Sequence, residues 1–134
     1  MNEKVQTYLL IALGSAFGGV SRFWFANYIA RRFGETFPWG TILVNISGSF
    51  LIGFIAAFGR PQSRFGMSPL ALEFLMIGIC GGYTTFSSFS LQTLSLARQG
   101  AWLQSGANIV LSVTLCLFAV WLGYLAGHFF SRSV

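Results

Sequence analysis

The chain has 134 residues, of which 54% are hydrophobic, 17% aromatic and only 8% charged. A soluble domain carries about 25% charged residues, so this chain cannot clothe a water-facing surface, and its composition belongs to an integral membrane protein. Eight Lys and Arg against three acids give a formal charge of +5, but there is no basic run and no polar platform, which argues against a nucleic-acid partner.

Four apolar blocks follow one another, at approximately residues 5–32, 37–59, 69–97 and 101–130, in a single membrane domain covering 1–134. Each exceeds the roughly 20 residues that cross a bilayer as a helix. The expected fold is therefore all-α, with four transmembrane helices. Lys4 beside Glu3, and no small-residue cleavage site after the first block, predict that the first span is retained rather than removed as a signal. Pro38 and Pro69 stand near the starts of spans two and three, where a missing N–H costs little, and Ser68 is a candidate N-cap. The link from Arg60 to Ser68 holds Pro61 and Gly66 and reads as an exposed loop. Cys80 and Cys116 lie inside apolar blocks and read as small buried thiols rather than a disulfide or a metal pair.

Small residues recur at four-residue spacing: Gly14 with Gly18, Ser49 with Gly53, Gly78 with Gly82, Gly123 with Gly127. Such pairs let helix backbones approach closely, either within one chain or between chains. Four spans put both termini on one side. That side carries Lys4, Arg60, Arg64 and Arg132, and the other carries Arg31, Arg32 and Arg98. So even a division sets no firm orientation under the positive-inside rule. It predicts a chain that inserts both ways and pairs as an antiparallel homodimer; the alternative is a weakly biased protein held in one orientation by a partner or by its loops.

Several residues do not belong in lipid. Arg22 falls well inside the first span. A central Arg costs at least about 2.5 to 3.5 kcal/mol, so it must face a watery cavity or a partner. No carboxylate lies mid-span to neutralise it, which points to an anion; the alternatives are snorkelling and a structural bond to backbone carbonyls. Asn45, mid-way along span two, has two amide N–H groups to offer an anion, or to tie helices together. Ser47, Ser49, Ser112 and Thr114 add hydroxyls in spans two and four, though any of them can bond its own i−4 carbonyl.

The third block contains GGYTTFSSFS at 81–90. Each glycine costs a helix interior about 1 kcal/mol against Ala, so the pair predicts a backbone break. As one unbroken helix the block would be about 43 Å long, more than a span needs. A break inside a membrane must be buried in protein or line a polar cavity. After it, Thr84, Thr85, Ser87, Ser88 and Ser90 alternate with Phe86 and Phe89, which share a helical face. Ring edges are electropositive, so hydroxyls, Asn45 and ring edges together can replace the hydration shell of a small anion. The plainer reading of both rings is apolar surface against lipid or core. Carbonyls freed by the break need a donor or a cation, and in an antiparallel dimer two breaks could share one small hard cation. Nothing supports catalysis: there is no embedded carboxylate pair, Ser–His–Asp set or metal-ligand cluster.

These residues bring a family into view. GSAFGGVSRFW in span one, PWGTILVNISGSFLIG in span two and GICGGYTTFSSFS in span three resemble the signatures of the small fluoride channels of the Fluc (also called CrcB) family, in order, spacing and total length. The resemblance implies a dual-topology antiparallel homodimer with two pores, multi-pass in a prokaryotic plasma membrane, exporting fluoride passively and so protecting the cell. It implies that Phe86 and Phe89 turn ring edges to fluoride, that Asn45 donates to it, and that Arg22 stands near a vestibule. It places Thr85, Ser87, Ser88 and Ser112 along or near the pore. It also implies a structural Na⁺ at the dimer centre, held by the backbone carbonyls of Gly81 and Thr84 from both subunits. Two positions depart from the pattern. Gln92 stands where many relatives have glutamate, and Cys116 where some have a pore-side serine. The rival readings are a small dual-topology multidrug exporter and a non-transporting membrane subunit. The exporter needs a membrane-buried carboxylate, and this chain buries Arg22 instead.

Overall fold

The computed structural model describes residues 2–63 and 65–131. Arg64 and Arg132, counted above in the charge balance, lie outside them. Every described element is helical: α1 (Glu3–Phe33), α2 (Trp39–Phe58), α3 (Pro69–Leu72), a π-helical stretch (Glu73–Cys80), α4 (Gly81–Tyr83), α5 (Phe86–Arg98) and α6 (Trp102–Ser131). Four helical segments are long and apolar enough to cross a membrane: Glu3–Phe33, Trp39–Phe58, Pro69–Arg98 and Trp102–Ser131. The third is the one that is interrupted, as expected.

The helix ends follow local chemistry. Asn2 caps α1, its side chain accepting from Lys4 N–H, and Gly34 closes it at φ 82°, a backbone conformation that favours glycine. Ser68 caps α3, with Pro69 in the first turn and the Ser68 hydroxyl accepting from Ala71 N–H at 3.2 Å. In the link before it, the Arg60 guanidinium lies 4.9 Å from the centre of the Tyr124 ring on α6, a cation–π contact that ties loop to helix.

The small-residue pairs seat helices of this same chain on one another. A Cβ on Gly14 would come within 2.9 Å of Gly78 Cα, and one on Gly82 within 2.6 Å of Ser15 O. Thus α1 lies directly on the π-helical stretch and α4. A Cβ on Gly123 or Gly127 would strike the Phe50 or Phe54 carbonyl, and one on Gly53 the Val120 carbonyl. That interlock makes α2 on α6 the most extensive pairing, while α5 packs on α6 alongside it. The outward faces stay apolar: Leu9, Leu13, Phe17, Val20 and Trp24 of α1 are all exposed, as lipid-facing residues must be.

One expectation needs correcting. Gly81 and Gly82 do not themselves break the third span. Gly81 is helical at φ −64°, ψ −39°, and its N–H reaches Gly78 O and Met76 O. The chain leaves helical geometry at Thr84 (ψ 160°) and Thr85 (φ −153°, ψ 111°). The glycine at 82 is there for close approach to α1, and the wide π turn ahead of it absorbs the bend.

Candidate functional site

Two side chains of neighbouring helices hold the break open. Asn45 of α2 meets Thr85 twice: its Nδ2 donates to Thr85 O at 3.0 Å and its Oδ1 accepts from Thr85 N–H at 2.8 Å. Arg22 of α1 donates from Nη1 to Thr84 O at 3.1 Å. Tyr83, just before the break, shares a 2.9 Å hydrogen bond with Ser47. The break is thus tied to both preceding spans, and Thr84 O, Thr85 N–H and Thr85 O find partners they would lack in lipid.

The diverted amides have a consequence. In an unbroken helix Thr85 N–H would donate to Gly81 O, and Ser88 N–H to Thr84 O. Here the first goes to Asn45, and the second to Thr85 Oγ1 at 3.2 Å, which makes Thr85 the N-cap of α5. Gly81 and Thr84 therefore present carbonyls without their helical donors. Gly81 is exposed, and a Cβ there would meet only Met76 O, at 3.7 Å. Neutral carbonyl oxygens of this kind suit a hard cation such as Na⁺. The Arg22 bond takes up part of the capacity of Thr84 O.

Beside the break lies a cavity of about 340 Å³. It gathers Asn45 and Ser49 from α2, Cys80 to Phe86 in part, Phe89 from α5, and Ser112 and Cys116 from α6. The two phenylalanines touch, with ring centres 5.2 Å apart and planes at 53°. Their exposure differs sharply: Phe89 is 8% exposed and Phe86 76%. Phe89 is fixed in the core, whereas Phe86 borders the cavity from the open side. Of the residues named from sequence, Asn45, Thr85, Phe86, Phe89, Ser112, Gly81 and Thr84 meet at this cavity. Arg22, Ser87 and Ser88 do not line it. Arg22 reaches the break from behind, making the bond to a backbone carbonyl that stood as the alternative to an anion-facing role, with further guanidinium N–H groups to spare. Ser87 and Ser88 sit on the first turn of α5, where their hydroxyls meet Thr85 Oγ1 at 3.3 and 3.0 Å.

Ser112 and Cys116 belong to a polar line on α6 whose deepest member, Asn108, the sequence reading does not include. Asn108 is 1% exposed, the one polar side chain among the most deeply buried. Its Nδ2 donates to Thr93 Oγ1 at 2.8 Å, Thr93 Oγ1 donates to Phe89 O at 2.8 Å, and Ser112 donates to Asn108 Oδ1 at 3.3 Å. Asn108, Ser112 and Cys116 recur every four residues, so they form one stripe on α6. That spacing was the available signal. Thr114, by contrast, is exposed and bonds only Val110 O of its own helix.

Electrostatically the cavity has no carboxylate in its lining, and α5 begins at its wall. A helix N-terminus carries the equivalent of about half a positive charge. Gln92, one of the two departures, lines a different cavity of about 370 Å³ near the ends of α1 and α5, and its buried Oε1 has no protein partner. Among the described residues no group of three His, Cys, Asp or Glu could hold a metal through side chains.

The sequence that builds this site is similar to those of known proteins. The family model for CrcB-like protein, Camphor Resistance (CrcB), matches residues 9–124. A fluoride-specific ion channel FluC of Methylocella silvestris is 56% identical over 118 residues, 88% of this chain and 90% of its own length. One of Opitutus terrae is 54% identical over 119 residues, 89% of this chain and 90% of its own. One of Rhodospirillum rubrum is 48% identical over 128 residues, 96% of this chain and 99% of its own. With a matched segment that reaches into all four spans and covers the whole of the break, the chain belongs to the CrcB family of multi-pass bacterial membrane proteins.

Proposed function

We propose that the chain conducts fluoride passively and selectively out of the cell, so lowering fluoride toxicity, and that it does so as an antiparallel homodimer with two pores. The observation that carries this is the cavity at the break, where an intramembrane helix N-terminus, amide and hydroxyl donors and two phenylalanine rings meet with no carboxylate among them. The Methylocella and Opitutus relatives, over half identical, are fluoride-specific channels.

Fluoride is small and tightly hydrated, so a dry path must offer several donors at once. Asn45 keeps one amide N–H after its bond to Thr85 O. Ser112 and Thr85 bring hydroxyls to the wall, and Ser87 and Ser88 bring theirs on the first turn of α5. Phe86 and Phe89 present electropositive edges, which attract an anion without binding it so tightly that it stays. Arg22 contributes positive potential from behind the break while holding Thr84 in place. In the dimer, Gly81 and Thr84 carbonyls of both chains would hold one Na⁺. Bound there, Na⁺ would supply a positive tie between the two breaks. The exposure of Gly81 and of Phe86 supports a second chain covering this face.

A drug exporter of the proton-coupled kind would need a carboxylate where this cavity has none. Expression in a bacterium deprived of its own fluoride exporters tests the reading: growth on fluoride medium should be restored. No rescue by protein that reaches the membrane would favour a non-transporting subunit. A terminal tag should be reachable from both faces of the membrane; reach from one face alone would overturn dual insertion.

A further inference from the structure

The cavity at the break holds a chemistry that fluoride conduction does not use. Cys80 and Cys116 are both free thiols, and both line it. Cys80 is 3% exposed and Cys116 is half-buried, so an ion already in the cavity would meet Cys116 first. Thiolates are soft ligands and select soft ions. A tetrahedral zinc site is excluded, because it needs four ligands and no third His, Cys, Asp or Glu joins the pair among the described residues. Two sulfurs suit instead an ion that binds linearly between them, the habit of monovalent d¹⁰ cations. Ile52, Val113 and Leu117 make much of the remaining wall apolar.

We propose that Cys80 and Cys116 together form a site for a soft monovalent cation, Cu(I) or Ag(I), and that an ion held there obstructs the cavity. Binding breaks each S–H bond, releases its proton to water and forms a sulfur–metal bond, with no change of oxidation state. The obstruction rests on the fluoride-conduction reading; the binding does not.

Silver nitrate in chloride-free buffer is the probe. Purified protein, desalted after exposure, should retain one silver per chain. Cys80→Ser and Cys116→Ser should each lower retention at least tenfold. Native protein that retains no silver overturns the site, as does undiminished retention in the double variant. Undiminished retention in either single variant overturns the paired ligation. In liposomes, silver should slow native fluoride efflux at least tenfold, and dithiothreitol should restore it, each variant being compared with its own silver-free rate. Silver retained with efflux unchanged would uphold the site and overturn the obstruction, and would count against this cavity as the fluoride path.

Discussion

Asn45 and Thr85 are joined by two hydrogen bonds of 3.0 and 2.8 Å that run in opposite directions, amide to carbonyl and peptide N–H to amide oxygen. This is the pairing a backbone would make with a neighbouring strand, supplied by one side chain to one residue in the middle of a broken span. It explains how the break persists where lipid would punish unpaired peptide groups. Replacing Asn45 by Ala should cost about 1–3 kcal/mol of stability, the price of leaving buried polar groups unpaired. Thermal unfolding in detergent should show a lowered midpoint, and fluoride efflux should fall at least tenfold. An unchanged midpoint would show that the clamp does not hold the break.

The two rings should separate function from folding. Phe86 is largely exposed and Phe89 buried. Phe86→Ile should therefore abolish or strongly slow efflux while leaving chain folding and dimer assembly intact by size-exclusion chromatography. Phe89→Ala should lower stability as well, since it opens a void against α6. Unchanged flux in Phe86→Ile would remove the aromatic part of the mechanism.

Much of this fold could be read before any coordinates. The lengths of the apolar blocks gave the four spans, and Gly14, Gly18, Gly78 and Gly82 carried their packing in their spacing. Partner choice was not legible: only the coordinates show that the first pair seats on the second. The break was legible in kind but not in place. Glycine cost suggested Gly81 and Gly82, whereas Thr84 and Thr85 depart from the helix because Asn45 and Arg22, distant in sequence, bind them there. Asn108 stands out only once Thr93 reaches it, which happens when α5 folds onto α6.

Close packing of α1 should be selective along its length. A Cβ on Gly18 would approach Tyr83 N within 2.7 Å, whereas one on Gly19 would meet nothing within 4 Å. Gly18→Ala should sharply reduce the yield of folded protein, and Gly19→Ala should leave it unchanged. Equal tolerance of both would contradict the contact between α1 and α4.

Arg22 combines a hydrogen bond with a charge, and one variant can part them. Arg22→Gln keeps amide donors but removes the positive charge. Its thermal stability should stay closer to native than that of Arg22→Ala, which leaves Thr84 O without its donor. Its efflux at low ionic strength, where fields reach furthest, should fall several-fold. Efflux equal to native at low salt would show that the charge has no part in conduction.

If the Gly81 and Thr84 carbonyls of two chains share Na⁺, replacing all Na⁺ by N-methyl-D-glucamine should weaken assembly. Crosslinking in detergent should then show a growing fraction of single chains, reversed by adding Na⁺ back. Dimers equally abundant without Na⁺ would count against the ion.

The most direct measurement is anion efflux from liposomes reconstituted with the native chain and loaded with fluoride in one batch and chloride in another. The account predicts rapid release of fluoride, with chloride retained as in protein-free vesicles. Release of both at similar rates, or of neither, would contradict it.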